Sequence, residues 1–269
     1  MRPFLKWVGG KYQIIHRIQT ALPKGNRLIE PFVGSGAVFL NTNYDRYILG
    51  DSNPDLINIF QYLKKERNKF IDYCALFFGN SKNNAKTFLK NRETFNITTA
   101  PRLKAALFLY LNRHSYNGLI RYNNKGIFNA PFGQYKKPYF PAKEMLFFIE
   151  KAKTAQFYHA DFLTTMAKAK PGDIVYCDPP YIPLSKTANF TKYGIDGFNL
   201  AKQNALVDMA KKIVKKGIIV VISNHDTALI KQIYKGAEIH RFDVQRYISC
   251  NANTRNKAKE ILALFSAEQ

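Results

Sequence analysis

Short apolar runs alternate along the chain with longer stretches in which apolar positions recur every three or four residues. Arg27-Leu28-Ile29-Glu30 predicts a short strand that runs into Pro31-Phe32-Val33-Gly34-Ser35-Gly36. An apolar stretch from Ala37 then suits a helix. Tyr47-Ile48-Leu49-Gly50 predicts a second strand, ending at Asp51. Leu56, Ile57, Phe60, Leu63, Phe70, Tyr73, Cys74 and Phe77 keep helical spacing, which predicts one helix over 56–78. Lys104 to Asn112 (KAALFLYLN) predicts a buried helix. The turn signal Asn123-Asn124-Lys125-Gly126 separates Leu119-Ile120-Arg121-Tyr122 from Ile127-Phe128-Asn129 and predicts a β-hairpin or hairpin-like loop. Pro131, Pro138 and Pro141 then punctuate the chain. Asp173 to Cys177 predicts a buried strand ending at Asp178-Pro179-Pro180-Tyr181. A helix is predicted from Asn199, as its N-cap, to Lys216, followed by a central strand through Ile222. Ile239 to Ile248 and Lys259 to Phe265 predict two further strands. Strands alternating with helices imply an α/β sheet, parallel for the most part. Residues 54–143 read as an insertion between its second strand and a later one.

Length and composition narrow the class. The 269 residues allow one large domain or two modest ones, at about 100–200 residues per domain. The longest aliphatic stretch, Ile218 to Ile222, is far short of the roughly 20 residues of a membrane span. The N-terminus, Met1-Arg2-Pro3-Phe4-Leu5-Lys6, lacks the apolar core of a signal peptide. Cys74, Cys177 and Cys250 are odd in number and show no C-x-x-C spacing, which disfavours a disulfide framework and a cysteine zinc site. A reducing cytoplasm is the expected setting.

Charge changes the picture more. Lys and Arg number 41 against 19 Asp and Glu, a net +22 that opposes compaction unless a polyanion is near. Residues 54–143 hold 16 Lys and Arg against 4 Asp and Glu, so more than half the surplus sits in a third of the chain. Tyr110, Tyr116, Tyr122, Phe128, Phe132, Tyr135, Tyr139 and Phe140 are interleaved with it. Cations with stacking rings suit a nucleic acid. A lysine-rich but solvated surface is the blander alternative.

Two turns carry candidate chemistry. In Glu30-Pro31-Phe32-Val33-Gly34-Ser35-Gly36 the glycines allow a sharp turn and close approach of a ligand, and Asp51 at the end of the next strand can accept bonds from ribose hydroxyls. Phe39 stands where a dinucleotide fingerprint needs its third glycine, so a nucleoside cofactor without phosphates fits better than a pyrophosphate. Asp178-Pro179-Pro180-Tyr181 is the more informative turn. Its prolines remove two N–H donors, leaving a carboxylate and carbonyl oxygens with a ring beside them. That acceptor-only lip, where open α/β sheets bind ligands, can take both hydrogens of an exocyclic amino group. The nitrogen lone pair would then be localised for attack on a methyl group, with Tyr181 stacked on the base.

These residues resemble the Dam-type DNA adenine-N6 methyltransferases of the D12 class. The resemblance rests on Phe4-Leu5-Lys6-Trp7-Val8-Gly9-Gly10-Lys11, Glu30-Pro31-Phe32-Val33-Gly34-Ser35-Gly36, Asp178-Pro179-Pro180-Tyr181 and Ile222-Ser223-Asn224-His225-Asp226, in the family's order and over nearly the whole chain. It implies a Rossmann-like S-adenosylmethionine-dependent catalytic domain (1–53 and 144–269). An inserted, mainly helical DNA-recognition domain (54–143) would carry the β-hairpin. It implies S-adenosyl-L-methionine as donor, S-adenosyl-L-homocysteine as product, no metal, and methylation of a flipped-out adenine in GATC. By position, Asp178, Pro179, Pro180 and Tyr181 match the catalytic turn. Trp7, Lys11, Phe32, Gly34, Gly36, Asp51 and Asp178 match cofactor contacts, and Asp161 and Phe162 would flank the cofactor adenine. Tyr116 and Asn117 match residues that enter the DNA stack. Leu119, Arg121 and Pro131 match readers of the outer part of the site, and Lys6 matches a contact to the first guanine. Arg92, Asn123 and Asn129 match phosphate contacts. The implied partner is double-stranded DNA, with no membrane and no obligate protein partner, in the cytoplasm at the nucleoid. Mismatch-repair marking, replication timing, restriction-modification and phage functions all stay open.

Other readings are methylation of an RNA base or a protein glutamine, a catalytically silent DNA-binding protein, and a nicotinamide oxidoreductase. The basic aromatic insertion weighs against a protein substrate, the intact turns against silence, and the missing third glycine against the dinucleotide. His159 and Asp161 lack the spacing partners of a metal site, and Ser223 and His225 lack a triad. His16 reads as packing or solvent-facing.

Overall fold

The computed structural model describes residues 1–181, 198–245 and 257–267. Seven strands form one sheet: β1 (Arg27–Glu30), β2 (Arg46–Asp51), β3 (Ala155–His159), β4 (Asp173–Cys177), β5 (Ile219–His225), β6 (Glu238–Gln245) and β7 (Lys257–Phe265). Their order is β3-β2-β1-β4-β5-β7-β6. The first five are parallel; β7 runs antiparallel between β5 and β6. The direction of winding reverses between β1 and β4, and open α/β sheets bind ligands at the carboxyl ends of such a pair. Glu30 ends β1 there, and Asp178 follows β4.

Alternation along the strands sorts two apolar layers. Leu28, Ile174, Tyr176 and Val221 join one cluster, whereas Ile29, Val175, Cys177, Val220 and Ile222 join the other. Burial on both faces explains why β4 and β5 read as continuous apolar runs. Ten α-helices lie among the described residues. The first layer holds α1 (Ile15–Ala21), α2 (Ala37–Asn41), α3 (Pro54–Glu66), α4 (Asn68–Ala75), α5 (Ala85–Ile97), α6 (Pro101–His114) and α7 (Ala142–Lys151). The second holds α8 (Phe162–Met166), α9 (Leu200–Val214) and α10 (Ala228–Ile233). Residues 101–114 form the buried helix expected there, with Ala105 to His114 almost inaccessible. The Asn199 side chain caps α9 by accepting from the Lys202 N–H.

The helix predicted over 56–78 is two helices. The chain breaks at Arg67, whose φ is +54°, without Gly or Pro to mark the place. Apolar spacing resumes in α4 with Phe70, Ile71 and Cys74, so periodicity alone runs across the break. The segment 115–132 is a hairpin-like loop closed by two isolated bridges, Ser115 to Phe132 and Tyr122 to Phe128. The strand expected through Ile248 is β6, which runs to Gln245; Ile248 and Cys250 lie outside the described residues. No helix among the described residues is long and apolar enough to cross a membrane.

Candidate active site

The glycine turn after β1 is built by backbone conformation. Gly34 and Gly36 have φ of +49° and +76°, a region L side chains rarely adopt. Gly36 N–H closes the turn on the Val33 carbonyl at 2.8 Å. Trp7 lies over it so closely that a Cβ at Gly34 would fall 3.0 Å from the indole nitrogen. The Asp51 carboxylate ties the turn to β2. Its Oδ2 accepts the Gly34 N–H at 3.0 Å and its Oδ1 accepts the Asn53 N–H at 2.9 Å. Asn53 in turn caps α3, accepting from Asp55 and Leu56. Burial pushes the Asp51 carboxyl up, against these two bonds, which hold it down.

Asp178 is anchored through one oxygen. Oδ1 pairs with Lys11 Nζ at 2.8 Å and accepts the Ser223 hydroxyl at 2.8 Å. Oδ2 has no hydrogen-bond partner among the described residues, and the side chain keeps 20% of its exposure. Pro179 is buried and Pro180 exposed, so the lip opens at the surface. Burial alone would lower the Lys11 pKa; Asp178, Tyr176 and Glu260 outweigh it, so the ammonium titrates above its ordinary value. Tyr176 donates to Ser223 Oγ at 3.3 Å beneath the lip.

Tyr181 is held more tightly than its sequence position suggested. Its hydroxyl donates to Glu260 Oε2 at 3.2 Å, its ring meets the His225 ring edge-on at 4.3 Å, and Lys11 Nζ stands 4.7 Å from its centroid. Of the fourth motif, Ser223 thus touches Asp178 and His225 touches Tyr181. Asn224 instead enters a buried network with Tyr234 and Gln203.

Phe32 stacks on Phe162 at 5.4 Å, and Phe198 meets both rings edge-on at 5.7 Å. All three are half-buried. Asp161 is spent locally: its carboxylate caps α8, accepting from the Thr164 N–H and hydroxyl at 2.8 Å each. Those bonds lower its pKa.

Glu30 was not singled out from the sequence. It is 2% exposed, and Oε1 has no hydrogen-bond partner among the described residues. Burial first, then the Asp178 charge, push its pKa well above the usual carboxylate range. A carboxyl raised on folding stabilises the fold below its ordinary pKa, and that contribution is lost as pH rises through the raised value. Glu30→Gln cannot ionise. Thermal melts should therefore show the variant gaining on the parent near pH 8, with the gain vanishing near pH 4. Equal gaps at both pH values would contradict the assignment.

The residues matched to DNA contacts gather elsewhere. Tyr116 is 58% exposed, and Asn117, at φ +52°, is exposed beside it. Leu119 is half-buried and Pro131 exposed. Arg121 is exposed and binds Asn129, while Arg92 Nη1 donates to the Ala130 carbonyl at 3.0 Å. Asn123 Oδ1 accepts from the Lys125 and Ile127 N–H groups, shaping the turn itself. The N-terminal segment joins the two groups. Trp7 and Lys11 lie at the sheet end, while the Lys6 backbone bonds Asn112 and its ammonium stands 4.2 Å from the Tyr135 ring. No cluster of three or more His, Cys, Asp or Glu that could hold a metal exists among the described residues.

The chain is similar to known proteins over nearly its whole length. Residues 7–248 match the family model of the D12 class N6 adenine-specific DNA methyltransferases. A protein of Vibrio cholerae named DNA adenine methylase is 49% identical over 266 residues, covering 98% of this chain and 96% of its own. Proteins of the same name from Escherichia coli K12 and Serratia marcescens are 49% and 50% identical, covering 98% of this chain and 95% and 98% of theirs.

Proposed function

This chain belongs to the D12 class of N6 adenine-specific DNA methyltransferases, and from that premise we propose that it methylates N6 of the adenine in duplex GATC after rotating that base out of the stack. S-adenosylmethionine is the proposed donor, supplying an electrophilic sulfonium methyl. The residues at the sheet end fit it. A buried Glu30 carboxyl with an unpartnered oxygen offers the acceptor an α-ammonium needs. Asp51 offers a carboxylate to ribose hydroxyls, Phe32 and Phe162 offer rings to an adenine, and Trp7 and Lys11 line the same end. The observation that carries the proposal is the Asp178 carboxylate at the switch point, anchored by Lys11 and Ser223 through Oδ1 with Oδ2 left for a ligand.

In this reading Asp178 Oδ2 and the Pro179 carbonyl accept the two N–H bonds of the target amino group. They draw the nitrogen lone pair out of conjugation with the ring. Lys11 and Ser223 fix the carboxylate before the base arrives, so little reorganisation remains at the moment of reaction. Pairing and stacking lost by the target base cost a few kcal/mol. Tyr116 and Asn117, exposed at the loop, offset that by filling the stack. Positioning and polarisation supply the acceleration, without a covalent enzyme intermediate. Residues 54–143 are the proposed target-recognition segment, with Lys6, Leu119, Arg121 and Pro131 reading base edges and Arg92, Asn123 and Asn129 meeting phosphates.

The test is methyl transfer from labelled donor to duplexes containing GATC or single-pair variants, with the product nucleoside identified by mass. N6-methyladenine in GATC alone is expected; a methyl on another base, or equal labelling of every variant, would overturn the proposal. Arg121→Ala should relax selectivity at one outer base pair, losing about 1–3 kcal/mol of discrimination there. Uniform weakening across all duplexes would make Arg121 a phosphate contact.

A further inference from the structure

We infer that Asn129 is a positioning residue for Arg121 and through it sets selectivity at the base pair Arg121 reads. This rests on the reading above that Arg121 contacts a base edge.

The two residues are joined three times across the loop. Asn129 N–H donates to the Arg121 carbonyl at 3.0 Å. Arg121 Nε donates to Asn129 Oδ1 at 2.8 Å, and Arg121 Nη2 donates to the Asn129 carbonyl at 2.9 Å. A guanidinium is planar, with five N–H donors in fixed directions. Holding its Nε–Nη2 edge therefore fixes where its remaining donors point. An exposed arginine without such a hold would lose its rotamer freedom on meeting DNA, at an entropic cost. Orienting it beforehand removes most of that cost.

Asn129 is itself rigidly mounted. The Asn96 side chain, on α5, accepts the Phe128 N–H at 2.9 Å and donates to the Phe128 carbonyl at 3.1 Å. Arg92, one turn earlier, donates to the Ala130 carbonyl at 3.0 Å. Phe128 and Ala130 are buried, at 1% and 0% exposure. Both neighbours of Asn129 are thus fastened to one helix, and the residue between them holds the guanidinium. A contact made only to phosphate would use the Asn129 amide N–H donors and would need no bond from Oδ1 to Arg121.

The test compares kcat/KM on GATC and on each single-pair variant for the parent, Asn129→Ala, Arg121→Ala and the double variant, with the salt dependence of DNA binding alongside. Asn129→Ala should lower discrimination by about tenfold at the same base pair as Arg121→Ala, within the roughly 5- to 150-fold that loss of a bidentate base contact costs. The double variant should discriminate no worse than Arg121→Ala alone, because the two act as one unit. If Asn129→Ala weakens every duplex equally, with the salt slope unchanged because a neutral amide releases no counterion, Asn129 is a phosphate contact only and the inference is overturned. If Arg121→Ala leaves discrimination unchanged, the reading of Arg121 has failed and the inference falls with it. If Arg121→Ala relaxes discrimination but Asn129→Ala does not, only the inference falls. Asn96→Ala, which loosens the mount without touching either residue, should reproduce part of the Asn129→Ala loss; full retention of discrimination there would remove α5 from the account.

Discussion

Asp178→Ala is expected to bind duplex DNA yet transfer methyl groups about 10²–10³-fold more slowly, the range for removing one preorganised polar group from an active site. The binding surface assigned to DNA lies on residues 92–131 and Lys6, so duplex should still bind, short only of the carboxylate's own bond to the target amino group, about 1.5–3 kcal/mol. The fold will also register the change. Lys11 is 9% exposed and would be left without its counter-ion. Breaking a buried pair from one side costs about 3–5 kcal/mol, and the 20% exposure of Asp178 places this case toward the lower end. Loss of activity through unfolding must therefore be separated from loss of chemistry. Lys11→Met with Asp178→Ala removes both charges and should recover much of the melting temperature without recovering turnover. Single-turnover kinetics, duplex binding and thermal melts on the three proteins decide it. Turnover within tenfold of the parent in a folded Asp178→Ala chain would refute the role of the carboxylate.

Asn112→Ala should cost the most stability among the polar residues outside the lip. Asn112 is fully buried on α6, and its side chain makes three bonds to backbone. Oδ1 accepts the Lys6 N–H at 2.9 Å, while Nδ2 donates to the Lys6 carbonyl at 2.8 Å and to the Gly118 carbonyl at 3.1 Å. Truncation strands these groups, each at about 1–3 kcal/mol before relaxation. A net loss of about 3 kcal/mol is expected, or a Tm lower by roughly 6–12 °C at this chain length. The N-terminal segment still has Arg113 donating to the Phe4 carbonyl, so the loss should be local. Lys6 would leave its place beside Tyr135, and the joint between the sheet end and the recognition loop would loosen. Selectivity at the base pair matched to Lys6 should fall in the same variant. A Tm within about 2 °C of the parent would show that Asn112 is not the staple.

How far the sequence could be read depends on which signals are local. β1 and β4 were predicted with the observed bounds because their apolar runs stop at Pro31 and Asp178. Asn199 was legible as a cap because it stands directly before an apolar-periodic stretch. β3 was missed: as an edge strand it exposes Gln156 and His159, and its short alternation resembles a loop. α5 was missed because only Phe88 and Phe95 anchor it. α7 was also passed over, although Met145, Phe148 and Ile149 follow helical spacing after Pro141. Arg67 carries no turn chemistry, so the break between α3 and α4 left no trace. In the site, the acceptor-only lip and the glycine turn followed from residue types alone. The partners of the lip did not. Ser223 reaches Asp178 because β5 pairs with β4, Lys11 reaches it from the segment before α1, and Glu260 reaches Tyr181 because β7 pairs with β5 in the register His225 to Glu260. Glu30 looked like the last residue of a strand, and only its depth makes it a candidate ligand group.

The central claim is that Asp178 grips the amino group of an extruded adenine, and an atom-for-atom cycle tests it most directly. Affinity is measured, with S-adenosylhomocysteine present, for the parent and a folded Asp178→Ala protein on duplexes carrying adenine or purine at the target position. Purine lacks only the amino group, and its weaker pairing affects both proteins alike. A coupling of at least about 1 kcal/mol between the carboxylate and that amino group is expected. A coupling of zero, with purine and adenine separated equally in both proteins, would contradict it.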